Sequence, residues 1–107
     1  MKIVNRGYIR ITPTQKFWEW ARIQDEEIDA SIDFNEPNVY LIEDEFWDDA
    51  LVLEKYFKKL CTFECYQVTE DDAKIITPES IEDFMTYFQI EIGSTVIDCL
   101  KTPINKD

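Results

Sequence analysis

The sequence contains no histidine, and its 107 residues include only two glycines and three cysteines. Without histidine the chain cannot form a Ser-His-Asp or Cys-His nucleophile system, nor a zinc site that uses imidazole. Two glycines are too few for the GxGxxG turn of a Rossmann fold or for a phosphate-binding loop. We therefore predict no catalytic, cofactor-binding or metal-binding residues from motifs, and expect that the protein is not an enzyme.

Basic residues are also scarce, since 11 Lys and Arg stand against 23 Asp and Glu, giving a formal net charge of −12. This charge repels nucleic-acid phosphates and anionic lipid surfaces, so direct binding to nucleic acid or to a membrane is not expected. The compact group of cations, Lys55, Lys58 and Lys59, falls at the end of one predicted helix. The charge suits a basic protein partner, a cationic ligand or plain solubility.

Long apolar runs are absent as well. The N-terminus lacks the apolar stretch of a signal peptide, and no window approaches the 18 apolar residues of a membrane span. An odd number of cysteines without an export signal is typical of free thiols in a reducing compartment. These features predict a cytoplasmic protein.

Core material is plentiful, because 45% of the residues are hydrophobic and 7 Phe, 5 Tyr and 3 Trp are present. We expect a single acidic domain over residues 1–100 and a flexible tail over 101–107. Periodicity predicts the following elements: a strand 3–11, a helix 13–23, an acidic loop 24–38 with a short edge strand as the alternative, a central strand 39–42, a helix 45–62, a possible strand 64–68, a helix 78–88 and a strand 89–100. The predicted fold class is α+β, with a small three- to four-stranded sheet and about three helices packed mainly on one face.

The sequence Ile-Thr-Pro occurs twice, at residues 11–13 and 76–78, and each copy precedes a predicted helix. In each case the threonine is a candidate N-cap and the proline fits the first helical position. Gly93 predicts a bulge or bend in the final strand. On the long helix, Cys61 falls on the apolar stripe and is interpreted as a core residue, whereas the roles of Cys65 and Cys99 stay open.

Two tryptophans, each on the shoulder of a predicted apolar helix face, are the most informative candidates for a site. Trp18 lies about 100° from Phe17 on a helical wheel, and Trp47 lies the same angle from Phe46. Both can pack over the sheet, or they can serve as exposed aromatic anchors with an acidic rim, as protein interfaces often have. The predicted protein-binding residues are Trp47, Glu43, Asp44, Asp48, Asp49 and Trp18.

The same acidic cluster has other interpretations. Glu43, Asp44, Glu45, Asp48 and Asp49 can simply match the dipole at a helix start. Paired carboxylates can also catalyse hydrolysis without histidine, although about a hundred residues seldom supply the groove that a glycosidase needs. Calcium is not favoured because the D-x-[DN]-x-[DN]-G loop is absent.

Several segments carry a resemblance to a known group of sequences. They are Asn5-Arg6, Pro13 with Phe17 and Trp20, residues 39–42, residues 80–84 and residues 88–92. On these segments the chain resembles a family of small acidic bacterial proteins of unknown function. Because most of the matching residues are core or capping positions, the resemblance implies a fold and no activity.

The sequence leaves three functional hypotheses. The first is a non-enzymatic interaction protein of the inhibitor or bacterial immunity type, which binds a basic partner such as a toxin or nuclease through acids and aromatics. The second is a small carboxylate-based enzyme or ligand-binding domain, which requires a concave pocket with convergent acids. The third is a nucleic-acid mimic, which requires acids arrayed along one long face.

Overall fold

The central element of the fold is a strand with both neighbours antiparallel to it. The computed structural model describes residues 1–28 and 36–103, and in that part of the chain it contains three α-helices and five strands, which is an α+β architecture. In chain order the elements are β1 Lys2–Val4, β2 Gly7–Pro13, α1 Gln15–Gln24, β3 Asn38–Ile42, α2 Asp49–Tyr66, a 3₁₀ turn Asp72–Lys74, α3 Ile81–Tyr87, β4 Phe88–Gly93 and β5 Val96–Asp98.

Strand β2 lies in the middle of a three-stranded sheet of order β3-β2-β4. Ile9 and Ile11 are fully buried, whereas Arg10 between them is exposed, as the alternation in the sequence predicts. The helices pack against the buried face, and Phe57, Phe84 and Phe88 complete the core there. The predicted sheet with helices packed on it is therefore confirmed.

The opposite face of the sheet is open. Arg10 forms an ion pair with Glu91 on β4, with 3.3 Å between Nε and Oε2, and both side chains are more than half exposed. On β3, Val39 and Leu41 share this face and are 57% and 45% exposed. An antiparallel sheet with one solvated face explains the clean alternation along β2.

The prediction that 39–42 forms a central strand is wrong, because among the described residues β3 pairs with β2 alone and lies at the edge of the sheet. An unbroken apolar run is typical of a strand that is buried on both faces. In β3 this holds on one face only, where Ile42 is 5% exposed. Whether a strand is central or at an edge depends on the strand order of the sheet, which a single sequence does not specify.

The predicted continuous strands 3–11 and 89–100 are each broken in two. Val4 pairs with Val96 and Tyr8 pairs with Gly93, so three residues on one side face two on the other. One extra residue in an antiparallel ribbon is a β-bulge. Gly93 ends β4 beside this irregularity, as predicted, and a Cβ at Gly93 would lie 2.3 Å from Cε1 of Tyr8. Any larger residue at this position would require the tyrosine ring to move.

Helix α2 begins four residues later than predicted and ends four residues later. Asp48 is the N-cap, and its Oδ1 accepts a hydrogen bond of 2.8 Å from the backbone N–H of Ala50. The strand predicted over 64–68 does not form, because Glu64 and Cys65 continue the buried face of α2. Burial at helical spacing overrides the local strand propensity of this segment.

Both Ile-Thr-Pro junctions end before their helices begin, so Thr12 and Thr77 are not caps. Pro13 is the last residue of β2, and Thr14 is the N-cap of α1. The hydroxyl of Thr14 donates to the carbonyl of Thr86, which joins the start of α1 to the end of α3. For α3 the cap is Ser80, whose Oγ accepts from the N–H of Asp83 at 3.1 Å.

Two predicted segments fall partly outside the described residues. Residues 29–35 belong to the predicted acidic loop and its edge-strand alternative, and residues 104–107 belong to the predicted tail. Among the residues that the structure does describe, no helix has the length and apolar character needed to cross a membrane.

Candidate functional site

The segment 43–48, which joins β3 to α2 and is called the Trp47 loop below, holds most of the predicted site residues. Its two aromatic residues point in opposite directions. Phe46 packs against the core, close enough that a Cβ at Gly7 would lie 3.0 Å from Cε1 of Phe46. Trp47 is 102% exposed. The loop is therefore anchored by one ring and presents the other to solvent.

Glu43 fixes the first half of the loop to α2. Its Oε2 lies 2.7 Å from Nζ of Lys55, and its Oε1 accepts a hydrogen bond of 2.6 Å from the hydroxyl of Tyr56. These two donors lower the pKa of Glu43 to about 2. Because both carboxylate oxygens are occupied, Glu43 positions the loop rather than offering a free charge.

Asp48 fixes the second half of the loop as the N-cap of α2. Trp47 therefore occupies the position before the cap, which in many helices folds back on the fourth helical residue as a hydrophobic staple. Here that residue, Val52, is 5% exposed and buried in the core, while Trp47 remains in solvent. The indole is thus not used to stabilise the helix start.

Two of the predicted acids are exposed and unengaged. In the part of the chain that the structure describes, the carboxylates of Asp44 and Asp49 accept no hydrogen bond and form no ion pair, and both residues are exposed. No group of three or more possible metal-ligating side chains occurs among those residues. Asp44 and Asp49 therefore supply free negative charge on either side of Trp47 in the sequence.

Trp18, the sixth predicted site residue, lies in a different environment. It is half-buried on α1 and packs edge-on against Phe17, with 5.2 Å between the ring centroids. It lines a cavity of about 380 Å³ together with Glu64 of α2, Val68 just after that helix, and Ile28. No residue of the Trp47 loop lines this cavity. The structure thus separates the two tryptophans that the sequence analysis grouped together.

A buried polar cluster that the sequence analysis missed surrounds Glu64, which is 2% exposed. Its Oε2 accepts hydrogen bonds from the hydroxyl of Tyr40, from the amide of Asn38 at 2.8 Å and from the amide of Gln67 at 3.1 Å. Burial and the bond to Glu64 raise the pKa of Tyr40. No sequence signal pointed to this cluster, because two of its donors come from β3, 24 and 26 residues away.

The cysteines differ in accessibility. Cys61 and Cys65 are fully buried on α2, whereas Cys99 is exposed after β5. A hydrogen bond with Cys65, followed by burial, raises the pKa of the Cys61 thiol. Its Sγ also lies 3.5 Å from the carbonyl oxygen of Ile76. This burial supports the interpretation of Cys61 as a core residue.

The comparisons with known proteins return no match: no family model, no curated protein sequence and no solved structure is similar to this chain at a significant level.

Proposed function

We propose that this protein is a non-enzymatic protein-interaction module, of the inhibitor or immunity type, that binds a basic partner through the Trp47 loop. The observation that carries the proposal is the complete exposure of Trp47 on a loop that is fixed at both ends. Interface energy tends to concentrate in a few tryptophan, tyrosine and arginine side chains that enter a pocket on the partner. Trp47 is presented in the way such an anchor requires.

Rigidity of the loop strengthens this proposal. Phe46 is packed on the core, Glu43 is bound by Lys55 and Tyr56, and Asp48 caps α2. A loop that is already ordered loses little conformational entropy when a partner binds. The free energy gained by burying the indole is then available for affinity.

The negative charge around Trp47 indicates which kind of protein this surface binds. Asp44 and Asp49 are exposed near Trp47, and the whole chain carries a formal net charge of −12. Complementary charge accelerates the encounter of two proteins and disfavours partners of the same sign. A basic protein, such as a toxin or nuclease, fits this surface best.

A second candidate function is the binding of a small cationic ligand in the cavity beside Trp18. The observation that favours it is the buried carboxylate of Glu64, which accepts only from neutral donors among the described residues. A buried carboxylate that lacks a paired cation attracts positively charged groups. This candidate predicts that the cavity, and not the Trp47 loop, controls binding.

The test is a capture experiment with immobilised protein in the lysate of its own cells, in which retained proteins are identified by mass spectrometry. We expect a basic protein to be retained at low salt and lost at about 1 M salt, where the Debye length is about 3 Å. The retained protein is then purified for affinity measurements. Trp47→Ala should weaken its binding by at least about 30-fold, corresponding to about 2 kcal/mol.

A matched control is Met85→Ala, because Met85 is a large apolar side chain on α3 that is 50% exposed. Its binding should equal that of the wild type. Retention of an acidic partner, or equal binding by Trp47→Ala and the wild type, would contradict the proposal. Binding of a small organic cation that Glu64→Gln weakens and Trp47→Ala leaves unaffected would instead favour the ligand cavity.

A further inference from the structure

The edge of the sheet formed by β3 lacks the features that normally protect an edge strand. Exposed edges are usually blocked by charged residues, by prolines within the strand or by bulges, because free backbone N–H and C=O groups recruit other strands. Residues 38–42 include no charge and no proline, and their register with β2 is unbroken from Gly7↔Ile42 to Ile11↔Asn38. In the described part of the chain, no strand pairs with the outer edge of β3.

A groove runs along this edge between β3 and α2. Its volume is about 460 Å³, and its helical wall includes Tyr56, Lys59 and Phe63. Phe63 packs edge-on against Tyr40 of β3, with ring centroids 5.9 Å apart, yet it remains 60% exposed. An added strand would place alternate side chains over this groove and the others beside Val39 and Leu41.

The charge beside the groove is opposite to that of the whole molecule. Lys58 and Lys59 are exposed, and neither forms an ion pair within the described residues. Lys59 and Phe63 line both the groove and a shallow depression next to it, which Lys58 and Tyr66 also line. An aromatic surface with two unpaired ammonium groups is complementary to apolar and carboxylate side chains.

We propose that β3 accepts an extended, acidic segment of a partner protein as a fourth strand of the sheet. Backbone hydrogen bonds to β3 supply affinity, and side chains in the groove supply selectivity, as in other cases of strand addition. An apolar side chain packs on Phe63, and a carboxylate pairs with Lys59. No residue of the Trp47 loop lines this groove, although Tyr56 of its wall also holds Glu43 of that loop. The groove adds a second binding site to the one proposed above.

A second copy of the chain is a poorer occupant. Its β3 would bring no carboxylate to Lys59, since residues 38–42 are uncharged. Each copy also carries a formal net charge of −12, which opposes self-association. An acidic segment of another protein supplies a carboxylate to Lys59 without bringing a second domain that has this net charge.

The test uses fluorescent peptides that are designed to form an extended strand. Threonine occupies every second position, and the remaining positions are filled in turn by valine and by a test residue. Binding is measured by fluorescence anisotropy for glutamate, glutamine and lysine at the test positions. We expect the glutamate peptide to bind at least about tenfold more tightly than the lysine peptide. The double variant K58E/K59E should reverse that order.

Two further variants examine the mode of binding. Phe63→Ala should weaken binding of all three peptides, whereas Trp47→Ala should leave it unchanged, which separates this proposal from the proposed function. N-methylation of one of the two alternating sets of peptide amides should abolish binding, and methylation of the other set should not. Circular dichroism verifies that each variant is folded.

Three outcomes would overturn the proposal. The first is failure of the glutamate peptide to bind wild-type protein. The second is equal affinity for the glutamate and lysine peptides, or equal effects of the two methylation patterns. The third is a dimer in sedimentation equilibrium that Leu41→Lys dissociates, because a second copy would then be the occupant of the edge.

Discussion

The chain contains the dipeptide Phe-Trp twice, each time followed by an acid, and the two copies have different environments. In the first, Phe17 is 2% exposed and Trp18 is half-buried beside it. In the second, Phe46 is packed on the core and Trp47 is fully exposed. The neighbouring residues in the sequence therefore do not predict whether a tryptophan side chain is buried or exposed.

The backbone explains the difference. Phe17 and Trp18 lie on helix α1, where consecutive side chains are about 100° apart, so both can reach the core. Phe46 and Trp47 precede the cap of α2, outside any helix, and the chain there directs one ring inward and the next outward. The same two residues therefore yield a packing pair in one place and an anchor with an exposed ring in the other.

The largest expected effect is on the stability of the Trp18 region. Trp18→Ala should lower the free energy of unfolding by about 2–4 kcal/mol, because it removes a half-buried ring from the contact with Phe17. Trp47→Ala should change it by less than about 0.5 kcal/mol, since the indole touches solvent. Urea denaturation followed by circular dichroism measures both. Similar losses for the two variants would show that the contrast between the copies does not hold.

A smaller loss of stability is expected when the buried carboxylate of Glu64, beside the Trp18 cavity, is removed. Glu64→Ala should reduce the free energy of unfolding by about 1–3 kcal/mol, because the donors on Tyr40, Asn38 and Gln67 lose their acceptor. Glu54→Ala, at an exposed position of the same helix, is the matched control and should have little effect. If the two substitutions cost the same, the cluster does not hold β3 against α2.

The smallest effect is a pH dependence in the Trp47 loop. The pKa of Glu43 in the folded protein is lowered to about 2 by hydrogen bonds from Lys55 and Tyr56, whereas an unfolded glutamate titrates near its ordinary pKa of about 4.5. A depressed folded pKa stabilises the folded state above the unfolded pKa. This contribution should therefore be lost as the pH falls from about 4.5 to about 2.

The measurement for Glu43 compares the wild type with Glu43→Gln over that pH range. The stability of the wild type should fall more steeply than that of the variant as acid is added. Because the carboxylate is exposed, high salt should reduce the difference. Parallel curves would mean that the ion pair with Lys55 does not persist in solution.

The sequence predicted those features that depend on local patterns. The alternation around Ile9 and Ile11, the apolar face of α2 through Leu53, Phe57 and Leu60, and the irregularity at Gly93 all follow from residue spacing. The α+β class was predicted for the same reason.

Features that depend on distant residues were not predicted. The position of β3 at the edge requires the strand order, and the cluster around Glu64 requires donors from β3. The start of α2 at Asp49 instead of Glu45 was ambiguous because several consecutive acids can cap or precede a helix. For Trp47, the sequence predicted a place on a helix, while its exposure comes from a loop that only the folded core holds in position.

The different accessibility of the three thiols makes the native chain convenient for spectroscopy. Cys99 is exposed, so a maleimide dye should attach there without any engineered cysteine. It follows β5 and is distant from the Trp47 loop in the sequence. Cys61 and Cys65 should react only when the buried side of α2 becomes accessible. Counting labelled thiols by mass spectrometry over time would therefore report the rate at which this helix opens.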